Sequence, residues 1–151
     1  MIKIICVGKI KEKFYTEALE EYKKRLSKYT KLEIIEVPDI FDNNIEITKS
    51  KEAELILKNI NQKDYIITLE IKGNQLTSEE FASKIENTFI TSPNITFIIG
   101  GSYGLDEKIT NISNYKLSFS KMTFPHQLFR VILLEQIYRA FKIINNETYH
   151  K

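Results

Sequence analysis

Short apolar runs along this chain alternate with longer segments in which apolar residues recur every three or four positions. The short runs predict strands over residues 2–8, 32–37, 64–71, 95–99 and 115–120. The periodic segments predict helices over residues 14–29, 48–60, 77–89 and 125–144, with a short helical turn at 105–111. Thr77 and Glu80 have the spacing of a capping box at the start of the third helix. The polar stretch 39–47 predicts a loop.

This alternation of strands and helices predicts the fold class. It is typical of an α/β fold with a mainly parallel sheet covered by helices on both faces. The length of 151 residues suits a single domain over residues 1–151. In parallel sheets of this kind, ligands bind beyond the carboxyl ends of the strands. Three predicted loops, at residues 69–73, 100–104 and 119–124, would meet there.

The loop at residues 100–104 holds three of the five glycines in the chain. Glycines at such density indicate unusual backbone torsions, or a close approach of another group to the backbone that a Cβ would prevent. Both a tight turn and a ligand-binding loop fit this pattern. No glycine motif follows the first strand in the spacing of a dinucleotide-binding or P-loop protein. The two histidines lack partners at metal-ligand spacing, so no metal is expected.

Charge is unevenly distributed, although the formal net charge is only +2. Residues 1–38 carry +3, residues 39–110 carry −5 and residues 111–151 carry +4. If the two ends meet in space, they would form a modest basic face for phosphates, although ordinary solvated surface explains the same charges.

The N-terminal apolar run bears on the location of the protein. Cys6 lies in this run and is expected to be a core side chain. The N-terminus predicts neither export nor a membrane segment. A cytoplasmic protein is therefore expected.

The last predicted helix is apolar on nearly all sides. Apolar residues occupy ten of the fourteen positions from Leu128 to Phe141, which is more than one sheet contact requires. The remaining face predicts a homodimer partner. Arg130 falls in the apolar sector, where its guanidinium must be ion-paired or bind an anionic ligand. Arg139 lies roughly opposite, where a salt bridge, a phosphate or a neighbouring subunit could engage it.

Two further segments carry candidate groups. His126 follows Pro125 in the first turn of the last helix, where it could hold substrate or cap the helix. Tyr149, His150 and Lys151 form an aromatic and basic ending that could stack on a base and contact phosphate, or could simply fray.

These segments together resemble the RlmH family of ribosomal RNA methyltransferases. The resemblance rests on FIIGGSYGL at 97–105, LSFSKMTFPH at 117–126, Arg130 and Val131, EQIYRA at 135–140, and Tyr149 with His150. It extends from the start at Val7, Gly8 and Lys9 through IEVP at 35–38 and Leu69 with Glu70, and so covers essentially the whole chain.

The resemblance implies a SPOUT fold whose C-terminal segment forms a trefoil knot, an exception to the rule that chains avoid knots. It implies an S-adenosylmethionine-dependent enzyme, a homodimer, that methylates N3 of a pseudouridine in 23S rRNA within the assembled ribosome. Cofactor contacts carry over to Leu69, Gly100, Phe119, Ser120, Lys121, Met122, Thr123 and Phe124. No base is obvious from the resemblance, and His126 is one candidate for proton removal. Arg130 and Arg139 are candidates for charge stabilisation or for binding RNA phosphate, and Tyr149 and His150 are candidates for holding the target from the second subunit.

The chain departs from the family pattern near its end, where Asn146 and Thr148 replace an expected glycine and proline. Asn146 can adopt the left-handed conformation that ends a helix, whereas the missing proline predicts a looser tail. Two other functions stay open: a non-catalytic RNA- or ribosome-binding module, and a methyltransferase of the same class that acts on tRNA.

Overall fold

The computed structural model describes all residues from Met1 to Lys151. Five strands and five helices alternate strictly along the chain. Their bounds are β1 Ile2–Val7, α1 Lys13–Leu26, β2 Leu32–Val37, α2 Ile45–Leu57, β3 Tyr65–Gln75, α3 Ser78–Thr91, β4 Ile95–Ile99, α4 Glu107–Thr110, β5 Tyr115–Ser118 and α5 His126–Ile144. Each predicted strand and helix is present, with shifted ends in several places.

All five strands belong to one parallel sheet in the order β2-β1-β4-β3-β5. The strand β1 pairs with β2 on one side and with the central strand β4 on the other, so that Ile2 lies beside both Leu32 and Ile95. Both β1 and β4 are buried along their whole length, as expected for strands covered on both faces. The predicted α/β fold with a parallel sheet is confirmed.

Two hydrophobic cores lie on opposite faces of this sheet. Alternate residues of β1 point to opposite sides, with Ile4 and Cys6 in the larger core and Ile5 and Val7 in the smaller one. The larger core contains residues of α1, α3 and α5, and the smaller core contains residues of α2 and α4. The cysteine is a core side chain, as predicted, and burial raises the pKa of the Cys6 thiol to about 12.

The helix starts show where local sequence signals succeeded and failed. The capping box of Thr77 and Glu80 is present at the start of α3, as predicted. The predicted loop at 39–47 was wrong at its end, because α2 already begins at Ile45. The side-chain oxygen of Asn44 accepts a hydrogen bond from the backbone N–H of Ile47 at 3.1 Å, which fixes this earlier start.

The third strand is longer than predicted because it pairs with β5 in two separate stretches. Leu69 and Asn74 both lie opposite Leu117, so the intervening residues bulge out of the ladder. The fifth strand ends at Ser118, two residues earlier than predicted. This interruption places residues 70–73 at the carboxyl end of the sheet rather than within it.

The end of α5 confirms the role predicted for Asn146. Its φ of 55° is left-handed, and it is the one non-glycine residue with a positive φ. The backbone N–H of Glu147 donates to the carbonyl of Lys142 at 2.9 Å, and that of Asn146 donates to Ile143 at 3.1 Å. These two bonds form a Schellman motif, which turns the tail back along the helix.

No helix in the fold has both the length and the apolar content that a membrane crossing requires.

Candidate active site

A cavity of about 600 Å³ opens at the carboxyl ends of β3, β4 and β5. It is lined by residues 69–72, 99–105, 117–120 and 122–124, with Lys49, His126 and Phe129 at its edges. The three loops predicted to converge therefore do so. Backbone and apolar side chains supply most of the lining, as in many small-molecule sites.

The glycine turn forms one wall of this cavity. The backbone N–H of Gly104 donates to the carbonyl of Gly101 at 3.1 Å, and Gly104 has a φ of 83°. A Cβ on Gly100 would lie 2.9 Å from the carbonyl carbon and oxygen of Gly104, and 3.0 Å from a methyl group of Leu105. The turn therefore folds back so closely that Gly100 can carry no side chain.

The segment after β5 forms the facing wall and is held by its own hydrogen bonds and by aromatic packing. The hydroxyl of Ser120 accepts a hydrogen bond from the backbone N–H of Met122 at 3.0 Å. The ring of Phe129 on α5 packs edge-to-face against Phe119, with 5.0 Å between centroids, and stacks on Phe124 at 6.0 Å. These contacts fix the loop against the first turn of α5, where His126 reaches the cavity.

Seven of the eight residues predicted to contact a cofactor line this one cavity. They are Leu69, Gly100, Phe119, Ser120, Met122, Thr123 and Phe124. Lys121 belongs to the same loop but does not line the cavity, and its side chain is exposed. The lining also includes Glu70 and Lys72, which lie in the predicted loop 69–73, and Lys49 on α2, which no sequence pattern had indicated.

Arg130 is 2% exposed and lies outside the cavity lining. Its Nη1 donates to the carboxylate of Glu36 at 2.6 Å, and its Nη2 donates to the carbonyls of Val7 and Gly8 at 3.1 and 2.7 Å. Of the two alternatives that the sequence left open for this side chain, an ion pair or an anionic ligand, the structure shows the ion pair. These contacts tie α5 to the carboxyl ends of β1 and β2.

The remaining catalytic candidates meet at the far end of α5, in a group that we call the tail cluster: Glu79, Glu135, Arg139, Tyr149 and His150. Arg139 donates from Nε to Oε1 of Glu135 at 2.9 Å, and its Nη2 contacts the same oxygen. Its guanidinium lies over the ring of Tyr149, 4.8 Å from the centroid. The hydroxyl of Tyr149 donates to the same carboxylate at 3.3 Å, and partial burial raises the pKa of this hydroxyl.

His150 completes the tail cluster. Its Nδ1 is 3.1 Å from Nη1 of Arg139, and its Nε2 is 2.7 Å from Oε1 of Glu79 at the start of α3. The hydrogen bond with His150 is the largest of several contacts that lower the pKa of the Glu79 carboxyl. The tail, predicted to be loose without its proline, is thus held by α3 and α5.

The candidates therefore fall into three places within one chain. His126 lines the cavity, Arg130 is buried behind it, and Arg139 lies thirteen residues after His126, which is about 20 Å along a helix. The structure thus does not bring His126 and the tail cluster together in one chain.

Sequence reasoning missed the acidic partners in these clusters. Glu135 could have been found, because a carboxylate four residues before an arginine on a helix is a recognised pair. Glu36 is 94 residues from Arg130, and Glu79 is 71 residues from His150, so no local pattern could reveal either contact. No group of three or more histidine, cysteine or acidic side chains is positioned to hold a metal ion.

Known proteins resemble this chain along nearly its whole length. A family model described as "Predicted SPOUT methyltransferase" matches residues 1–150. A relative from Clostridium botulinum strain Langeland, named ribosomal RNA large subunit methyltransferase H, is 58% identical, with 99% of each chain covered. A relative from Methanococcus maripaludis, named putative ribosomal RNA large subunit methyltransferase H, is 57% identical over the same shares.

A solved structure described as a probable methylase family protein from Haemophilus influenzae shares the fold. Its TM-score is 0.59 at 17% identity, with 99% of this chain and 70% of that chain covered. At this identity the likeness concerns the fold alone. The family match and the full-length relatives go further, and by them the chain belongs to the SPOUT methyltransferases, in the RlmH family.

Proposed function

We propose that this protein transfers a methyl group from S-adenosylmethionine to N3 of a pseudouridine in 23S rRNA, within the assembled ribosome. The observation that carries the proposal is the single cavity that joins the glycine turn, residue 69 and the segment after β5. The relatives named as ribosomal RNA large subunit methyltransferases match this chain from end to end, which supports the same RNA class for this chain.

The residues of the cavity suit this cofactor. A space of about 600 Å³ accommodates a nucleoside with an amino-acid side arm, and the absent Cβ at Gly100 lets the glycine turn fold back tightly to form one wall of this space. Leu69, Gly100 and residues 119–124 would hold the cofactor. When bound, S-adenosylmethionine supplies an electrophilic methyl group on a sulfonium centre. The chain itself must align the acceptor and assist loss of its proton.

His126 is the candidate for removing the proton from N3, because it is the one histidine that lines the cavity. A neutral imidazole can accept a proton, and His126 lies in the first turn of α5 at the edge of the cavity. Arg139 would stabilise negative charge on the target base or bind RNA phosphate, with Tyr149 and His150 holding the target. Arg130 would support these groups by fixing α5 against β1.

A homodimer is part of the proposal, because the tail cluster lies far from the cavity of its own chain. Leu128, Ile132, Glu135 and Arg139 follow one another along one face of α5 at helical spacing, and all four are only half-buried. A second copy on this face would cover the apolar pair and could bring its own tail cluster to the first cavity. Light scattering at micromolar concentration tests this point, and a monomer would contradict it.

The trefoil knot also belongs to the proposal. It is supported by family membership and by the position of residues 117–126, which lie against the loops after both β3 and β4 in one cavity. An experimentally traced backbone of this segment would test the threading.

The deciding experiment is transfer of labelled methyl to intact ribosomes from cells that lack this protein. Label in N3-methylpseudouridine of the large-subunit RNA, identified by mass spectrometry, supports the proposal. Binding of S-adenosylmethionine without label on ribosomes would favour another RNA, such as tRNA. If the protein neither binds S-adenosylmethionine nor labels ribosomes, a non-catalytic RNA- or ribosome-binding module would be favoured.

The tail cluster gives a first prediction. Replacing Arg139 with alanine is expected to lower methyl transfer about thirtyfold, the value of one charge-assisted hydrogen bond, while cofactor affinity stays nearly unchanged. Rates with ribosomes and calorimetric titration with S-adenosylmethionine measure the two quantities. Arg25, which forms the same kind of i,i+4 pair with Glu21 on α1, is the matched control. Equal losses of transfer and cofactor affinity would instead indicate a role in folding or dimerisation.

A further inference from the structure

His150 is held at both ring nitrogens by groups of opposite character. Nη1 of Arg139 lies 3.1 Å from Nδ1, and a carboxylate oxygen of Glu79 lies 2.7 Å from Nε2. The two partners come from different helices, α5 and α3. The side chain of His150 is only 25% exposed, so the ring is confined between them.

These partners determine which ring nitrogen carries the proton. A guanidinium has only N–H groups to offer, so the nitrogen that faces Arg139 must accept through its lone pair. An ionised carboxylate can only accept, so the nitrogen that faces Glu79 must donate. A proton on Nε2 of His150 and a lone pair on Nδ1 satisfy both contacts, and a hydrogen bond donated to Glu79 agrees with the lowered pKa of that carboxyl.

The same contacts orient the guanidinium of Arg139. Its Nε and Nη2 are fixed by Glu135, and its Nη1 is fixed by Nδ1 of His150. If the proton of His150 moved to Nδ1, two N–H groups would face each other and the contact with Arg139 would be lost. Glu79 therefore acts on Arg139 through the imidazole ring.

We infer that Glu79 is a positioning residue, whose carboxylate fixes the Nε2–H tautomer of His150 and thereby the direction of the Arg139 guanidinium. The inference rests on the proposed function, which places His150 and Arg139 at the RNA target. Glu79 itself touches neither cofactor nor RNA in this account. Its side chain is mostly exposed, so its replacement leaves no cavity in the core.

The tautomer can be measured directly, because the chain contains only two histidines. Nitrogen-15 NMR of the full-length protein should show a protonated Nε2 and an unprotonated Nδ1 for His150, which a His150→Gln variant identifies. Glu79→Ala should give a mixture of tautomers. Glu79→Gln should keep the wild-type tautomer, because its amide oxygen still accepts from Nε2. Glu86→Ala, an exposed carboxylate removed from the same helix, should change nothing.

Methyl transfer to ribosomes provides the functional measurement. Glu79→Ala should lower kcat about tenfold, the equivalent of one net hydrogen bond, with the KM for S-adenosylmethionine unchanged. Glu79→Gln should recover most of the rate, and Glu86→Ala should retain all of it.

The two measurements separate failure of this inference from failure of the proposed function. A wild-type His150 protonated at Nδ1, or an Nε2–H tautomer that persists in Glu79→Ala, would overturn the inference. A Glu79→Ala enzyme with the wild-type kcat would overturn it as well. If the wild-type protein transfers no methyl group to ribosomes, the proposed function fails, and the NMR result alone decides whether Glu79 orients His150.

Discussion

Replacing Arg130 with alanine is expected to lower the free energy of unfolding by about 4 kcal/mol, because its buried guanidinium holds two backbone carbonyls as well as the Glu36 carboxylate, whose side chain is 36% exposed. The loss has two sources. The carbonyls of Val7 and Gly8 lose a buried donor, and the Glu36 carboxylate loses its cation. A chain of this length should then melt roughly 8–16 °C lower, as measured by calorimetry or circular dichroism.

The matched control for this prediction is Arg25→Ala, which removes an arginine from an exposed ion pair with Glu21. Exposed pairs of this kind contribute only about 0.5 kcal/mol, so its melting temperature should hardly change. Similar stabilities for the two variants would show that the network around Arg130 contributes little to the fold. In that case its burial would have to serve the chemistry of the site instead.

Under the proposed function, replacing Gly100 with alanine is expected to weaken binding of S-adenosylmethionine about 30-fold, the equivalent of the roughly 2 kcal/mol that overpacking a tight site costs. The new methyl group would lie 2.9 Å from two backbone atoms of Gly104. Backbone cannot swing aside as a flexible side chain can, so the turn must open and the cavity wall must move. Overpacking of this kind also costs about 2 kcal/mol of stability. Calorimetric titration with S-adenosylmethionine measures the affinity.

Ser92→Ala provides the control for Gly100→Ala, because it alters the loop at the other end of β4 and lies away from the cavity. Its cofactor affinity should match that of the wild-type protein. Wild-type affinity in Gly100→Ala would contradict a cofactor site at the glycine turn. Loss of cofactor affinity together with loss of a cooperative melting transition would show that the turn is needed for folding rather than for binding alone.

The sequence predicted the order of elements well because each element carries a local signal. Strands such as β4 are nearly continuous apolar runs, and α3 begins with a complete capping box. The errors occur where a single side-chain or cross-strand contact sets a boundary. The Asn44 cap starts α2 early, and the second pairing of β3 with β5 extends β3 beyond Ile71, where the predicted strand ended.

The candidate site likewise has features that the sequence predicts and features that it does not. Its loops were predictable, because the carboxyl ends of parallel strands meet at one edge of the sheet. The distribution of the catalytic candidates could not be predicted, because it depends on contacts between residues far apart in the chain. Arg130 pairs with Glu36 on β2, and His150 pairs with Glu79 on α3. A helical repeat places Arg139 on a face, but it does not show which carboxylates surround it.

The order of strands in the sheet also has a consequence for synthesis on the ribosome. The strand β1 lies between β2 and β4, yet β4 begins at Ile95, so one edge of β1 has no partner until most of the chain has been made. At ordinary translation rates this interval is on the order of ten seconds. An apolar strand with an open edge can pair with other chains during that time. The nascent protein is therefore most exposed to aggregation before its own β4 emerges, and binding of a chaperone to β1 would be most useful in this interval.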